Sequence, residues 1–190
     1  MSGEEELARL LGAAGDEPIE QGATAVFEAI TGGELTASVL TRPAARVAPD
    51  EKKLLRVRDG EGMHVRAGVL FCPRGVPVAQ VTTLVVNARI PYCARASLGV
   101  TRTGRLMPAP GSTPLGRALR GLGIRRDQWE AIITPGCIDS VGDRLAVRST
   151  ALLRTADGLP LAWVIERIYA RFLEAFPPPW PDLQRPRMAT

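Results

Sequence analysis

The sequence predicts an α+β domain built on an antiparallel sheet. Two hairpin signals carry that reading: Pro73-Arg74-Gly75 between two strand-like runs, and Asp157-Gly158 between two more. In addition, strand-like segments outnumber helical ones and follow one another directly, without the crossover helices a parallel sheet needs. A length of 190 residues suits one domain, residues 1–190, with 1–19 a variable N-terminal segment and 177–190 a Pro-rich tail.

Taken in order, Glu4 to Leu11 is short and amphipathic, and Gly12 to Asp16 breaks it. A second helix begins near Gly22, runs through Thr24, Val26, Phe27 and Ile30, and stops at Gly32-Gly33. Glu34 to Leu40 reads as a strand feeding a linker, Thr41 to Asp50, that carries two prolines. Met63 to Cys72 and Val76 to Val86 form the first hairpin. Arg89 to Leu98 is predicted helical, and Gly99 to Pro114 is irregular, with Gly and Pro at frequent intervals. Thr113 is placed as N-cap and Pro114 at the first position of a helix ending near Gly121 or Gly123. Trp129 to Thr134 is a further strand. Leu145 to Thr155 and Leu159 to Ala170 form the strongest hairpin, and the chain from Pro177 onward is irregular.

Composition narrows the function classes. Hydrophobic residues make up 45% and charged residues 23%, which excludes a collagen-like, coiled-coil or wholly disordered chain. No apolar run approaches the roughly 18 residues that cross a bilayer, and the acidic start is unlike a signal peptide, so a cytoplasmic protein without a membrane partner is expected. The net charge is +4, but only Lys52 and Lys53 are lysines. The arginines are dispersed without interleaved aromatics, so no nucleic-acid partner is expected, whereas a small anionic ligand fits arginine chemistry.

Cys72, Cys93 and Cys137 are far apart and odd in number, no CxxC occurs, and His64 is the only histidine. A Cys/His zinc site is therefore not expected, and a nucleophilic triad or dyad would have to use His64. The cysteines read as buried small hydrophobes in a reducing compartment. No phosphate-cradling glycine motif is present, so no cofactor is expected.

Charges sit where the strand pattern asks for hydrophobes. On Leu159 to Ala170, one stripe reads Pro160, Ala162, Val164, Glu166, Ile168, Ala170, and Glu166 is its only charged member. A desolvated carboxylate needs a cationic partner, a raised pKa or a ligand. Arg66 breaks the stripe of His64, Gly68, Leu70 and Cys72 in the same way, and Arg148 that of Ala146, Thr150 and Leu152. Each arginine alone could snorkel to water from a strand edge, and Glu166 could be one half of a buried ion pair. Together they outline a pocket with two cationic clamps and one acid, suited to a small dicarboxylate.

An ordered set of segments resembles the chorismate lyase family. It comprises Gly-Ala-Thr-Ala-Val-Phe-Glu at 22–28, Val-Arg-Ala-Gly-Val-Leu at 65–70, Gly75-Val76-Pro77-Val78, Thr-Pro-Leu-Gly-Arg-Ala-Leu at 113–119, Arg148-Ser149, and Gly-Leu-Pro-Leu-Ala-Trp-Val-Ile-Glu at 158–166. The resemblance implies a six-stranded antiparallel sheet with helical flaps over an internal ligand site. It implies elimination of pyruvate from chorismate to give 4-hydroxybenzoate, without metal or cofactor. It also implies residue roles: Arg66 on a substrate carboxylate, Glu166 at the enolpyruvyl ether oxygen, and Leu115 and Ala23 in backbone contacts. Arg148 stands at the second arginine of the family. Thr82 and Thr83 occupy the strand where ubiquinone-pathway members carry another arginine, a departure that leaves the hold on the second carboxylate open.

The expected partners are thus chorismate and an aromatic acid product, bound to a monomer or weak homo-oligomer. Effector-binding domains of bacterial transcription regulators share this fold and form the alternative, although only about 20 residues precede the first matching helix here, short of a winged helix-turn-helix. An enzyme of the same fold acting on another compound in secondary metabolism is the third reading.

Overall fold

The computed structural model describes residues 1–12, 16–19, 22–44, 46–107 and 110–180. Its centre is one antiparallel sheet whose long strands are β2 (Thr36–Pro43), β3 (Met63–Phe71), β4 (Pro77–Val86), β6 (Arg125–Ile133), β7 (Leu145–Arg154) and β8 (Pro160–Tyr169). Two short pieces, β1 (Asp16–Pro18) and β5 (Pro110–Gly111), extend the edges, so the expected six strands become eight in the order β1-β6-β7-β8-β4-β3-β2-β5. The helices are α1 (Gly3–Gly12), α2 (Ala23–Thr31), α3 (Pro49–Leu54), α4 (Leu115–Ala118) and α5 (Ala170–Ala175).

Both hairpins form where the turn residues require. Gly75 and Gly158 adopt φ of 76° and 81°, a left-handed backbone that glycine enters without Cβ clash. Gly32 caps α2 in the same way, its N–H donating to the carbonyl of Glu28.

Other elements depart from the sequence pattern. The segment read as a helix over 89–98 is three separate 3₁₀ turns, Asn87–Arg89, Tyr92–Ala94 and Ala96–Leu98, because Pro91 removes a donor and Gly99 ends the run at φ 72°. The linker expected up to Asp50 ends in α3: Pro49 occupies its first turn, and the Glu51 carboxylate accepts from the Ala48 N–H at 3.0 Å. Pro114, not Thr113, is the N-cap of α4. The strand read as 129–134 begins at Arg125, and α5 was not foreseen at all. Chain 177–180 is irregular; the remainder of the Pro-rich tail, 181–190, lies outside the described residues.

One sheet face carries the main core. Leu7 and Leu11 of α1, Phe27 of α2 and Phe172 of α5 pack against Val81, Val147 and Ile168. A neighbouring cluster on that face joins Val85, Leu153 and Ala162 to Ile90 and Leu98 of the 3₁₀ turns. Among the described residues, the opposite face is covered at one end, where Leu55 meets Leu84, Val86 and Leu152. Arg89 staples that end: its guanidinium donates to the Leu55 and Pro160 carbonyls and pairs with Glu61 at 2.5 Å. Cys72 is buried, but Cys93 and Cys137 are exposed, which corrects the expectation of three core cysteines.

Candidate functional site

Strand register builds the floor of a cavity in two adjacent rows. One row crosses the sheet as Val39, Gly68, Val81, Glu166 and Ser149; the next runs Thr41, Arg66, Thr83 and Val164. Arg66 and Glu166 therefore stand on one face, two strands and one row apart, about 12 Å at the backbone. Gly68 and Val81 between them leave room that larger side chains would fill. A Cβ on Gly68 would lie 2.0 Å from the Ser38 carbonyl oxygen, so only glycine lets β2 approach here and bring Val39 into the wall.

Two flaps form the roof. The first turn of α2 contributes Gly22, Ala23 and Thr24, and the strap into α4 contributes Thr113, Pro114, Leu115 and Gly116. Gly116 permits their contact, since a Cβ there would meet Thr24 Oγ1 at 2.6 Å. The Glu28 carboxylate locks the flaps together: it accepts from Arg117 at 2.5 Å, from Arg120 at 2.8 Å and from the Leu35 N–H at 3.3 Å. Partial burial works against ionisation of Glu28, but the hydrogen bonds from Arg120 and Arg117 outweigh it and hold the carboxyl below its usual range. Floor and roof enclose about 610 Å³, counting the mouth, with an aliphatic lining.

Three charged groups interrupt the aliphatic wall: Arg66, Arg126 and Glu166. Arg66 is 3% exposed and donates to the Thr113 carbonyl at 2.9 Å. No carboxylate pairs with it among the described residues, its Nε–H is buried without a partner, and burial lowers its pKa to about 10. Glu166 is 7% exposed. Burial raises its pKa, opposed by the Arg126 charge and a hydrogen bond from Ser149. Arg126 reaches Ser149 Oγ at 3.2 Å and lies 3.9 Å from Glu166 Oε2, a loose pair.

Of the residues expected at the site, Arg66, Glu166, Leu115 and Ala23 line the cavity. Arg148 and Thr82 do not. Ser149 is the residue opposite Glu166 and Thr83 the one opposite Arg66, so their neighbours Arg148 and Thr82 project from the other face. Arg148 there pairs with Glu130 at 2.6 Å. The second arginine of the cavity is Arg126, which the sequence reading missed. Its signal was the alternation Ile124, Arg126 just ahead of the assigned strand, with Ile124 and Arg126 buried and Arg125 exposed.

His64 is wholly buried, with Nδ1 2.6 Å from Asn87 Oδ1, and burial depresses its pKa, which favours the neutral ring. No group of three or more His, Cys, Asp or Glu able to hold a metal occurs among the described residues. Among the same residues, no helix is long and apolar enough to cross a membrane.

No protein-family model matches the chain, and no curated protein matches it. Solved structures do. The chain is similar to PhnF from Mycobacterium smegmatis, at 16% identity over 82% of this chain and 67% of that one, with a TM-score of 0.54. It is similar to the effector domain of PhnF from the same organism at 18% identity, over 82% of this chain and 93% of that one, TM-score 0.52. A possible transcriptional regulator, YydK from Bacillus subtilis, aligns at 12% identity and TM-score 0.48, and there the chain spans 57% of the matched protein. The first two likenesses show the fold: an α+β fold with an antiparallel sheet, like that of the PhnF effector domain.

Proposed function

We propose that this chain, acting as one cytoplasmic domain, is an effector-binding domain that takes up a small organic acid between the flaps, with occupancy as its output. The buried Arg66 guanidinium carries this reading. A desolvated cation with no carboxylate beside it among the described residues, and with a buried donor unused, is arranged to receive an anion. The aliphatic wall then takes the body of the ligand. Arg126, already shared between Ser149 and Glu166, tunes the acid and does not act as a second free clamp. The likeness to the PhnF effector domain supports a sensing role.

Glu166 favours a second reading, elimination of pyruvate from chorismate. An acid whose pKa is raised by burial can, in its protonated form, donate to a departing ether oxygen while Arg66 holds a carboxylate; aromatisation of the ring supplies the driving force. No nucleophile is needed. Both readings are tested by titrating the chain with chorismate, 4-hydroxybenzoate and pyruvate by calorimetry, then following chorismate for product release. Saturable binding without turnover supports the sensor; 4-hydroxybenzoate and pyruvate in equal amounts establish the lyase. Absence of binding by all three removes chorismate chemistry from the cavity.

A further inference from the structure

The sheet face turned away from the cavity carries a second cleft, of about 710 Å³ counting its open side, lined by Glu130, Arg148, Thr150, Trp163, Ile165 and Arg167. It begins where the cover under α3 ends. Trp163 borders the Leu55, Leu84 and Leu152 cluster, Ile165 follows on the same stripe of β8, and Arg167 closes that stripe.

Arg167 and Arg148 are direct cross-strand partners. Like charges placed opposite one another destabilise a sheet unless an anion lies between them. Glu130 meets only part of that demand. Its Oε2 takes one Nη of Arg148 at 2.6 Å, whereas the Arg148 Nε–H is shielded from solvent without a partner. Arg167 has no carboxylate partner among the described residues. The cleft therefore grades from an aromatic and aliphatic end to a cationic end. Trp163 and Arg167 are four positions apart along the strand, a span of about 13 Å.

We propose that this outer cleft binds an elongated amphipathic carboxylate, with the acid between Arg148 and Arg167 and the apolar body along Ile165 and Trp163. The occupant is a medium-chain fatty acid or an acid of the same shape. The cleft is independent of the internal cavity: the register that puts Glu166 and Ser149 on one face puts Arg167 and Arg148 on the other.

The test uses the full chain and decanoate below its micellar concentration, with decan-1-ol and benzoate as comparison probes, measured by calorimetry and tryptophan fluorescence. Decanoate is expected to bind at least about tenfold more tightly than decanol, which lacks the charge, and than benzoate, which lacks the length. R167Q should weaken decanoate about tenfold or more, and R66A should leave it unchanged within about twofold. W163F should keep decanoate binding by calorimetry while losing most of the fluorescence response. Circular dichroism of R167Q, a half-buried position, confirms that the variant is folded. Equal binding of decanol, loss of decanoate binding in R66A but not R167Q, or no decanoate binding at all overturns the proposal.

Discussion

Arg66 of β3 donates to the Thr113 carbonyl at 2.9 Å across 47 positions of sequence, tying the floor of the cavity to the strap of its second flap. A ligand acid arriving at Arg66 meets a guanidinium already oriented by the roof. Arg66→Met should thus separate binding from folding. Replacing a buried cation that lacks a carboxylate by an apolar side chain of similar length is expected to leave stability unchanged or raise it by up to about 3 kcal/mol. Affinity for a carboxylate ligand should fall by about 2–5 kcal/mol. Paired urea denaturation and calorimetry check this. A loss of several kcal/mol of stability without ligand would make Arg66 a structural residue.

Glu166 should make stability depend on pH with a definite sign. Its folded pKa lies above the ordinary value of 4.5, so the group is harmless while protonated and costs stability as pH rises from 4.5 through the raised folded value. Glu166→Gln removes that cost. Its stability relative to the parent should therefore improve with rising pH over this window, as read by denaturation at successive pH values. A gap that is flat with pH, or that moves the other way, would show that Arg126 holds Glu166 ionised throughout.

The Glu28 latch responds in the opposite sense. Its folded pKa is depressed, so its contribution is full above the ordinary value of 4.5 and is lost as pH falls through the folded value. Glu28→Gln should speed both entry and release of a cavity ligand, with a stability cost of about 1 kcal/mol for these partly exposed pairs. Stopped-flow rates identical to the parent would mean that the flaps do not open between α2 and α4.

Gly68→Ala is expected to destabilise the protein by about 3 kcal/mol or more, since the added carbon collides with the backbone of β2 and not with a side chain that could rotate. Thermal denaturation reads this directly. A near-neutral variant would mean that β2 shifts freely and that Val39 is not a fixed wall of the cavity.

Much of this arrangement is legible in the residues. β3 and β4 begin and end within one residue of the runs read from alternation, and Arg66 and Glu166 stand out because a charge interrupts an apolar stripe. What alternation along one strand cannot supply is which face of its neighbour it shares. That is fixed by pairing register, and a difference of one residue moved Arg148 and Thr82 to the far side and brought Ser149 and Thr83 inward. Arg126 escaped for a different reason. In Arg125-Arg126-Asp127 three consecutive charges mask the alternation that starts at Ile124, and the tertiary pairing of β6 with β7 makes the middle one a core position.

The sheet order also has a consequence for how the chain is made. β8 is the last of the described strands to leave the ribosome, yet it lies mid-sheet, hydrogen-bonded to β7 on one side and β4 on the other. Until it emerges, the β2-β3-β4 meander and the β6-β7 pair are separate pieces, each presenting a bare edge to other nascent chains and to chaperones. A message broken before codon 160 would thus yield not a weakened protein but two unjoined half-sheets, and quality control would meet them as an aggregation hazard.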